Sequence, residues 1–239
     1  MDLFCSDLDN TLIYSSRRPL DGEKFCVERL DGREISFMTR RALELLKELG
    51  KRMLFIPVTT RRVEQYQRIC FPEISPSYVL ACNGGVLLEE GRIAVDWYKE
   101  SLEMVEDCRG ELDRGQRILE EDENRDFEVW RIQELFLFTK SRESGETVKK
   151  LKMCLDLQKV DVFTNQSKVY VLPKVLNKGT AIERIRCRLG AERVFAAGDS
   201  AFDVPMLEKA DLAYRGGEKP FAEEMLEYFL ENEQKRTDE

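Results

Sequence analysis

Short apolar runs alternate along this chain with stretches that carry the 3.6-residue apolar period of a helix, and this alternation limits the folds open to it. The runs at residues 3–5, 53–58 and 194–197 indicate buried strands. Thr39 and Gly50 bracket one of the helical patterns as its start and stop signals. Strands alternating with helices are typical of a parallel sheet with helices on both faces, so we predict an α/β fold of the doubly wound, Rossmann-like type.

The pattern changes between residues 91 and 172, where we predict a helix, two strands, a second helix and two further strands. Such an αββαββ segment has enough sheet and helix to form a small layer of its own. We therefore expect a core domain of residues 1–90 and 173–239 and an inserted α/β domain of residues 91–172. One continuous domain is the alternative interpretation. A hairpin about Asp31-Gly32 is also predicted.

Histidine is absent from the sequence, which excludes several classes of site at once. Ser-His-Asp triads, Cys-His nucleophiles, histidine-ligated zinc and imidazole acid–base catalysis all require it. The seven cysteines are scattered and never form a C-x-x-C pair, so a thiolate metal site is not indicated either. Carboxylates remain as the expected proton-transfer groups.

The charge of the chain bears on its partners. Lys and Arg number 38 against 46 Asp and Glu, for a net charge of -8, which disfavours nucleic acid and anionic membrane surfaces as partners. No apolar run approaches the ~20 residues of a membrane span, and the first residues lack the pattern of a signal peptide. We expect a cytoplasmic protein with neither nucleic-acid nor membrane partners, and the oligomeric state is left open.

Polar side chains follow four of the predicted strands, at the edge where the carboxyl ends of parallel strands meet. They are Asp7 and Asp9, Thr59, Asn83, and Asp199 with Asp203. Carboxylates brought together repel one another and raise one another's pKa values, so a hard divalent cation such as Mg²⁺ is implied. For Asp7 and Asp9 taken alone, a turn whose carboxylates accept from loop N–H groups is the simpler interpretation.

Four segments in this order together resemble the four motifs of the haloacid dehalogenase superfamily. They are DLDNTL, PVTTRR, LNKGTA and GDSAFDVPML. The segment ACNGG and the αββαββ insertion are similar to the Cof-type and sucrose-phosphatase-like branch, which includes mannosyl-3-phosphoglycerate phosphatase and phosphomannomutase. The resemblance covers nearly the whole chain and implies a haloacid dehalogenase core with an α/β cap that selects the substrate.

The resemblance assigns the reacting groups to the first and third motifs. It implies that Asp7 is the nucleophile and forms an aspartyl-phosphate, and that Asp9 is the general acid and then the base. Lys178 matches the lysine that balances the charge of Asp7 and of the phosphoryl group, with Lys174 as a nearby competitor.

The fourth motif supplies the remaining metal ligands. By the resemblance, Asp199 binds Mg²⁺ directly beside the Asp7 carboxylate and the Asp9 backbone carbonyl, and Asp203 acts through a water or supports these ligands. Phe202 stands where the family commonly has asparagine, which removes one polar group beside the metal.

The second motif and the ACNGG segment are implied to contact the substrate. Thr59 matches the hydroxyl that holds a phosphoryl oxygen, but Thr60 competes with it because the family pattern is usually Thr-Gly-Arg. Arg61 fits the family arginine, which contacts substrate, and it can equally cap sheet carbonyls or pair with a carboxylate. Asn83 resembles a substrate-side asparagine, while Asn-Gly is also a plain turn signal.

The resemblance implies a Mg²⁺-dependent phosphomonoester hydrolase that acts on a small phosphorylated metabolite, with sugar phosphates as the leading class. Two alternatives remain open. One is a phosphotransferase similar to phosphomannomutase, and the other is a catalytically silent binding module on the same scaffold.

Overall fold

The structure is a computed structural model that describes residues 1–237. The chain divides into two compact units. The core unit comprises Met1–Ile93 and the chain from Lys178 onward, and the inserted unit is Ala94–Asn177.

Strands and helices alternate through both halves of the core unit. Its first half contains β1 (Asp2–Ser6), β2 (Tyr14–Ser15), β3 (Lys24–Leu30), β4 (Arg33–Thr39), α1 (Arg40–Gly50), β5 (Leu54–Pro57), α2 (Val63–Tyr66), β6 (Tyr78–Ala81), β7 (Val86–Glu89) and β8 (Arg92–Ile93). The inserted unit contains α3 (Val95–Met104), α4 (Arg109–Glu120), β9 (Trp130–Ile132), β10 (Phe136–Lys140), α5 (Ser144–Cys154), β11 (Val160–Asn165) and β12 (Lys168–Pro173). The second half of the core unit contains α6 (Lys178–Leu189), β13 (Arg193–Gly198), α7 (Val204–Lys209), β14 (Leu212–Arg215) and α8 (Ala222–Thr237).

The central sheet of the core unit is parallel, in the order β14-β13-β1-β5. Cys5 of β1 lies opposite Ala196 on one side and Ile56 on the other. All five residues of β1 are buried, as expected for a strand covered on both faces. A parallel bridge between Val58 and Leu80 connects the end of β5 to a small antiparallel sheet in the order β6-β7-β8. The predicted α/β fold class is confirmed.

Helices α1 and α8 supply apolar side chains to one face of the central sheet. The Thr39 hydroxyl caps α1 by accepting a hydrogen bond from the Ala42 N–H at 3.2 Å, so the predicted cap is present. The ring of Phe4 in β1 stacks on Phe55 at 5.6 Å between centroids and contacts Phe229 of α8 at 5.4 Å. This apolar layer fixes β1 rigidly, and with it the position of the loop that follows.

The predicted hairpin is formed by β3 and β4, and β2 extends it to a three-stranded antiparallel sheet. Asp31 and Gly32 form its turn with positive φ angles of 50° and 75°, which suits a tight hairpin connection. Strand β3 departs from regular pairing at Glu28, where the register shifts on both sides. Such a bulge changes the direction of a side chain, and here Val27 and Glu28 are buried in succession.

Two predicted helices differ in the structure. The sequence after Thr59-Thr60 predicts a helix over 62–70, but the structure confines it to Val63–Tyr66, because the following segment pairs with the hairpin through the Cys70 N–H and the Val27 carbonyl at 2.8 Å. For the first helix of the inserted segment the sequence predicts residues 102–119, whereas in the structure the helix begins at Val95 and a 3-10 turn at Glu106–Cys108 divides it into α3 and α4. Cys108 at this break packs into a buried apolar cluster, so tertiary packing outweighs the continuous helical period.

The inserted unit has an antiparallel sheet in the order β11-β12-β10-β9. Side chains from α4 and α5 pack with one face of this sheet in a buried cluster that includes Leu112, Leu151 and Val171. The predicted αββαββ order is present, with its first helix in two pieces. Among the described residues, no helix combines the length and apolar character that crossing a membrane requires.

Candidate active site

Parallel strands bring the first and fourth motifs together at one edge of the central sheet. Asp7 follows β1, and its backbone N–H donates to the Ala197 carbonyl of β13 at 2.9 Å. Asp199 follows the last residue of β13, so both carboxylates lie at the carboxyl edge of adjacent strands. The sequence predicts this convergence only if the two strands are adjacent in the sheet, and in the structure β1 pairs with β13.

Lys178 lies between two carboxylates in the interior. It is the first residue of α6, and its side chain is only 1% exposed. Its Nζ donates to Asp7 Oδ1 at 2.5 Å and to Asp203 Oδ1 at 2.5 Å. Lys174, the competing candidate, is 42% exposed and pairs with Asp161 of the inserted unit at 3.6 Å. The structure thus brings Lys178 to Asp7, and Lys174 pairs elsewhere.

Asp203 is fully buried and accepts hydrogen bonds on both oxygens. Its Oδ1 accepts from Lys178, and its Oδ2 accepts from the backbone N–H groups of Asp199 and Ser200 at 3.2 and 2.9 Å. The Ser200 hydroxyl donates to the same Oδ2 at 2.7 Å. This set of donors holds the carboxylate in a single orientation beside the ammonium.

Gly198 explains how Asp203 comes so close to β13. A Cβ atom added at position 198 would lie 2.3 Å from Asp203 Cβ, well inside van der Waals contact. A residue without a side chain is therefore required immediately before Asp199. The glycine of the GDSAFD segment is a packing requirement of the site.

Three carboxylates form a cluster that suits a metal ion. Oxygen atoms of Asp7, Asp199 and Asp203 all lie within 4.8 Å of one another. Lys178 offsets one of these negative charges, and a divalent cation would offset the other two. Carboxylate oxygens are the ligands that Mg²⁺ and Ca²⁺ prefer, so these residues fit a hard divalent cation.

The pKa values of this cluster reflect burial and crowding of like charge. Burial raises the pKa of Asp7 to about 8; Lys178 opposes the shift, whereas Asp203 and Asp9 add to it. Burial, followed by the charge of Asp203, raises the pKa of Asp199 to about 6. Burial alone would lower the pKa of Lys178, but the carboxylates of Asp203 and Asp7 outweigh this and raise it. The lysine is therefore a permanent ammonium at neutral pH.

Arg61 forms a second charged cluster with Asp9 and Glu28. Its Nε and Nη2 donate to the two carboxylate oxygens of Asp9, each at 2.7 Å, in a bidentate fork. Its Nη1 lies 2.8 Å from Glu28 Oε1. The sequence leaves three interpretations open for Arg61, and in the structure its side chain pairs with a carboxylate. The hydrogen bonds and charges of Asp9 and Glu28 raise the pKa of Arg61 although burial opposes them.

Glu28 is the residue of this region that sequence reasoning missed. Alternation along the hairpin places Val27 inward and its neighbour outward, yet the bulge turns Glu28 inward as well. Its carboxylate also accepts from the Ser36 hydroxyl at 2.6 Å and from Arg68 Nε at 3.1 Å. No pattern in the sequence marks a bulge at this position.

The two threonines of the second motif occupy different environments. Thr59 is buried, and its hydroxyl oxygen accepts from the Arg61 backbone N–H at 3.1 Å. Thr60 is half-buried and forms no side-chain hydrogen bond with any residue that the structure describes. Burial and a fixed orientation distinguish Thr59 from Thr60.

Asn83 lies in the turn Cys82–Gly84 and is buried with a positive φ of 59°. Its backbone N–H donates to the Thr59 carbonyl at 2.9 Å, and the Cys82 N–H donates to the Arg61 carbonyl at 2.8 Å. The predicted turn is thus attached to the second motif by its backbone. Phe202 is half-buried in the fourth motif and leaves both of its carboxylates in the cluster.

Comparison with solved structures identifies similar folds. Sucrose-phosphatase from Synechocystis sp. PCC6803, solved with sucrose and phosphate, has a TM-score of 0.63 at 19% identity over 96% of each chain. An IMP-nucleotidase from Plasmodium falciparum has a TM-score of 0.66 at 14% identity over 97% of this chain and 68% of that one. A trehalose-6-phosphate phosphatase related protein has a TM-score of 0.55 at 16% identity, covering 98% of this chain and 99% of its own. At these identities the likeness is one of fold.

Comparison with sequences gives two results. A search of curated proteins found no match. A family model described as haloacid dehalogenase-like hydrolase matches residues 93–215, which is just over half of the chain and includes the third and fourth motifs. The predicted family is therefore confirmed, and the chain belongs to the haloacid dehalogenase-like hydrolases.

Proposed function

We propose that this protein is a Mg²⁺-dependent phosphomonoester hydrolase that acts on a small phosphorylated metabolite of the cytoplasm through an aspartyl-phosphate at Asp7. The observation that carries the proposal is the charge balance at the carboxyl edge of the central sheet. Three clustered carboxylates face a single buried ammonium, and this deficit matches one divalent cation. A substrate phosphate then meets positive charge in a protein that is acidic overall.

The Mg²⁺ ligands would be the carboxylates of Asp7 and Asp199 and the backbone carbonyl of Asp9, with Asp203 acting through a water. When bound, the ion supplies positive charge that favours the ionised form of Asp7 and offsets the charge of the phosphoryl group. Lys178 supplies a further positive charge, which its hydrogen bond to Asp203 holds in place.

The proposed reaction has two steps on this chain's own residues. A carboxylate oxygen of Asp7 attacks phosphorus, the bond to the leaving oxygen breaks, and Asp9 gives that oxygen a proton. Asp9 then removes a proton from a water, whose oxygen attacks the aspartyl-phosphate and releases inorganic phosphate and the free Asp7 carboxylate. The two carboxylates lie in different environments: Asp7 is buried beside Lys178, whereas Asp9 is half-exposed beside Arg61.

The second motif and the turn after β6 would hold the substrate. The Thr59 hydroxyl, with Thr60 as its competitor, would donate to a phosphoryl oxygen, and Asn83 would contact the substrate from the turn. The pairing of Arg61 with Asp9 supports a role beside the acid–base group. The inserted unit is proposed as the cap domain that selects the rest of the substrate.

Sugar phosphates are the substrate class that we propose to test first. Two proteins of similar fold carry names that point to phosphorylated sugars: the sucrose-phosphatase, solved with sucrose and phosphate, and the trehalose-6-phosphate phosphatase related protein. Fold alone does not determine a substrate, so the assay includes nucleotides and other organic phosphates.

The test is phosphate release from a panel of phosphorylated metabolites, with and without Mg²⁺. We expect release from a few compounds, only with Mg²⁺, and a loss of about 10⁴-fold or more in Asp7→Asn. Asp21→Asn is the matched control, because it makes the same change on the exposed surface of the core unit. Wild-type turnover in Asp7→Asn would overturn the assigned nucleophile.

Two other outcomes would redirect the proposal. Interconversion of mannose 1-phosphate and mannose 6-phosphate without phosphate release would favour the phosphotransferase. Neither release nor interconversion with any compound would favour the catalytically silent binding module.

A further inference from the structure

We propose that Glu28 is a positioning residue, which holds the Arg61 guanidinium in the orientation that fixes the Asp9 carboxylate. The inference rests on the proposed function, because it concerns the acid–base group of that reaction. It adds a residue of the β3–β4 hairpin to a site otherwise assembled at strand ends.

The first argument is geometric. One guanidinium contacts both carboxylates, with Nε and Nη2 on Asp9 and Nη1 on Glu28, at 2.7, 2.7 and 2.8 Å. The guanidinium is planar and rigid, so fixing one edge fixes the direction of the other. Glu28 therefore determines where the fork that holds Asp9 points.

The second argument is burial. The Glu28 side chain is 1% exposed, whereas the Asp9 side chain is 48% exposed. A half-exposed aspartate on a loop has rotamers open to it that water would stabilise, and a buried anchor limits them. Because Glu28 is shielded from solvent, it has no access to a substrate and acts through Arg61.

The third argument is charge. Glu28 also accepts from Arg68, with Nη2 at 3.0 Å from the same Oε1, so two carboxylates and two guanidinium groups balance in this cluster. An unpaired carboxylate buried at this depth would be costly, and the bulge in β3 places it where its partners are. The arrangement needs all of its charges to keep Arg61 in place.

The main experiment compares kinetic constants of Glu28→Gln with those of the wild type, on a substrate found in the phosphate-release panel. The neutral amide keeps the size of the side chain and weakens its hold on Arg61. We expect kcat to fall by about tenfold to a hundredfold, because small misplacements of a reacting group carry losses of this size. We expect KM to stay within about twofold, since Glu28 has no access to substrate.

A double-variant comparison tests whether Glu28 acts through Arg61. In an Arg61→Lys background the fork is absent, so adding Glu28→Gln should change kcat by less than about twofold. Equal losses of kcat in both backgrounds would overturn the proposal, as would an unchanged kcat in Glu28→Gln alone.

Ser36→Ala is the matched control for a purely structural effect. It removes a hydrogen bond from Glu28 Oε2 and leaves the contact between Glu28 Oε1 and Arg61. We expect both Ser36→Ala and Glu28→Gln to lower the melting temperature, but only Ser36→Ala to keep kcat within about twofold of the wild type. An equal loss of kcat in Ser36→Ala would show that Glu28 only stabilises the hairpin.

A spectroscopic readout separates this inference from the proposed function. The Nε–H proton signal of Arg61, identified by its loss in Arg61→Lys, should exchange slowly with solvent in the wild type because it is bonded to Asp9. It should exchange fast in Glu28→Gln and slowly in Ser36→Ala. Slow exchange in Glu28→Gln overturns the positioning role, whereas an inactive wild type with the expected exchange pattern overturns only the proposed function.

Discussion

Two charged clusters each contain one aspartate of the loop after β1, and they differ in burial and in charge balance. The lysine cluster consists of Lys178, Asp7 and Asp203, whose side chains are at most 9% exposed. The arginine cluster consists of Arg61, Asp9 and Glu28, and it reaches the surface at Asp9. Asp7 and Asp9 are two residues apart, but both follow the end of β1 at Ser6, and the loop takes their carboxylates to two environments, Lys178 for Asp7 and Arg61 for Asp9.

The difference shows how two aspartates of one motif can take different roles. The lysine cluster, together with Asp199, lacks positive charge, and a compact ammonium leaves room for a cation beside it. The arginine cluster is balanced once Arg68 is counted, and its planar fork fixes geometry. A deficit of charge favours binding an ion, whereas a balanced network favours holding a side chain still.

The largest effect is expected from removing the buried ammonium of Lys178. Lys178→Met leaves two buried carboxylates facing each other, so we expect the free energy of unfolding to fall by about 3–5 kcal/mol. Denaturant unfolding in the presence of a chelator measures it. Adding Mg²⁺ should recover part of the loss, because an ion that binds only the folded state stabilises it.

Lys174→Met is the matched control for that change. Lys174 is 42% exposed, and its ion pair with Asp161 spans 3.6 Å. We expect a change within about 0.5 kcal/mol, as for most exposed ion pairs. A loss in Lys174→Met as large as that in Lys178→Met would contradict the assignment of Lys178 as the buried partner.

A smaller effect is expected from displacing Asp203 alone. Gly198→Ala places a Cβ at 2.3 Å from Asp203 Cβ, and overpacking of this kind costs about 1–3 kcal/mol. Gly110→Ala in α4 is the control, since beyond its chain neighbours and its own helix backbone the added Cβ has no atom within 4 Å, and it should stabilise the helix by about 0.5–1 kcal/mol. Equal stability of the two variants in a melting experiment would argue against close packing at Gly198.

The last prediction concerns a difference in pH dependence between the clusters. Burial raises the pKa of Asp7 to about 8, so without metal its contribution to stability is lost as pH rises from about 3.9 through 8. Burial would also raise the pKa of Glu28, but hydrogen bonds from Arg61 and Ser36 outweigh it and hold this pKa below its usual range. The contribution of Glu28 is therefore lost as pH falls below about 4.3.

Denaturant unfolding of metal-free protein at a series of pH values measures the direction of both pH effects. Relative to the wild type, the free energy of unfolding of Asp7→Asn should rise as pH rises from 5 to about 8. The free energy of unfolding of Glu28→Gln should lie below that of the wild type at neutral pH, and this difference should shrink as pH falls toward about 4. Parallel pH curves for the two variants would remove the distinction between the clusters.

Local patterns in the sequence determined much of the fold. The apolar run of β1, the Thr39 cap of α1 and the Asp31-Gly32 turn all depend on residues that are close in the sequence. The motifs also indicated that Asp7, Asp199 and Asp203 follow the carboxyl ends of parallel strands, and the pairing of β1 with β13 brings these residues together.

The pairing of the charged groups depends on tertiary packing. It selected Lys178 over Lys174, paired Arg61 with Asp9, and turned Glu28 inward at a bulge. It also ended α2 early and divided the helix predicted over 102–119. The physical reason is that burial, pairing and bulges depend on residues distant in sequence, whose free energies of packing and desolvation exceed local propensity.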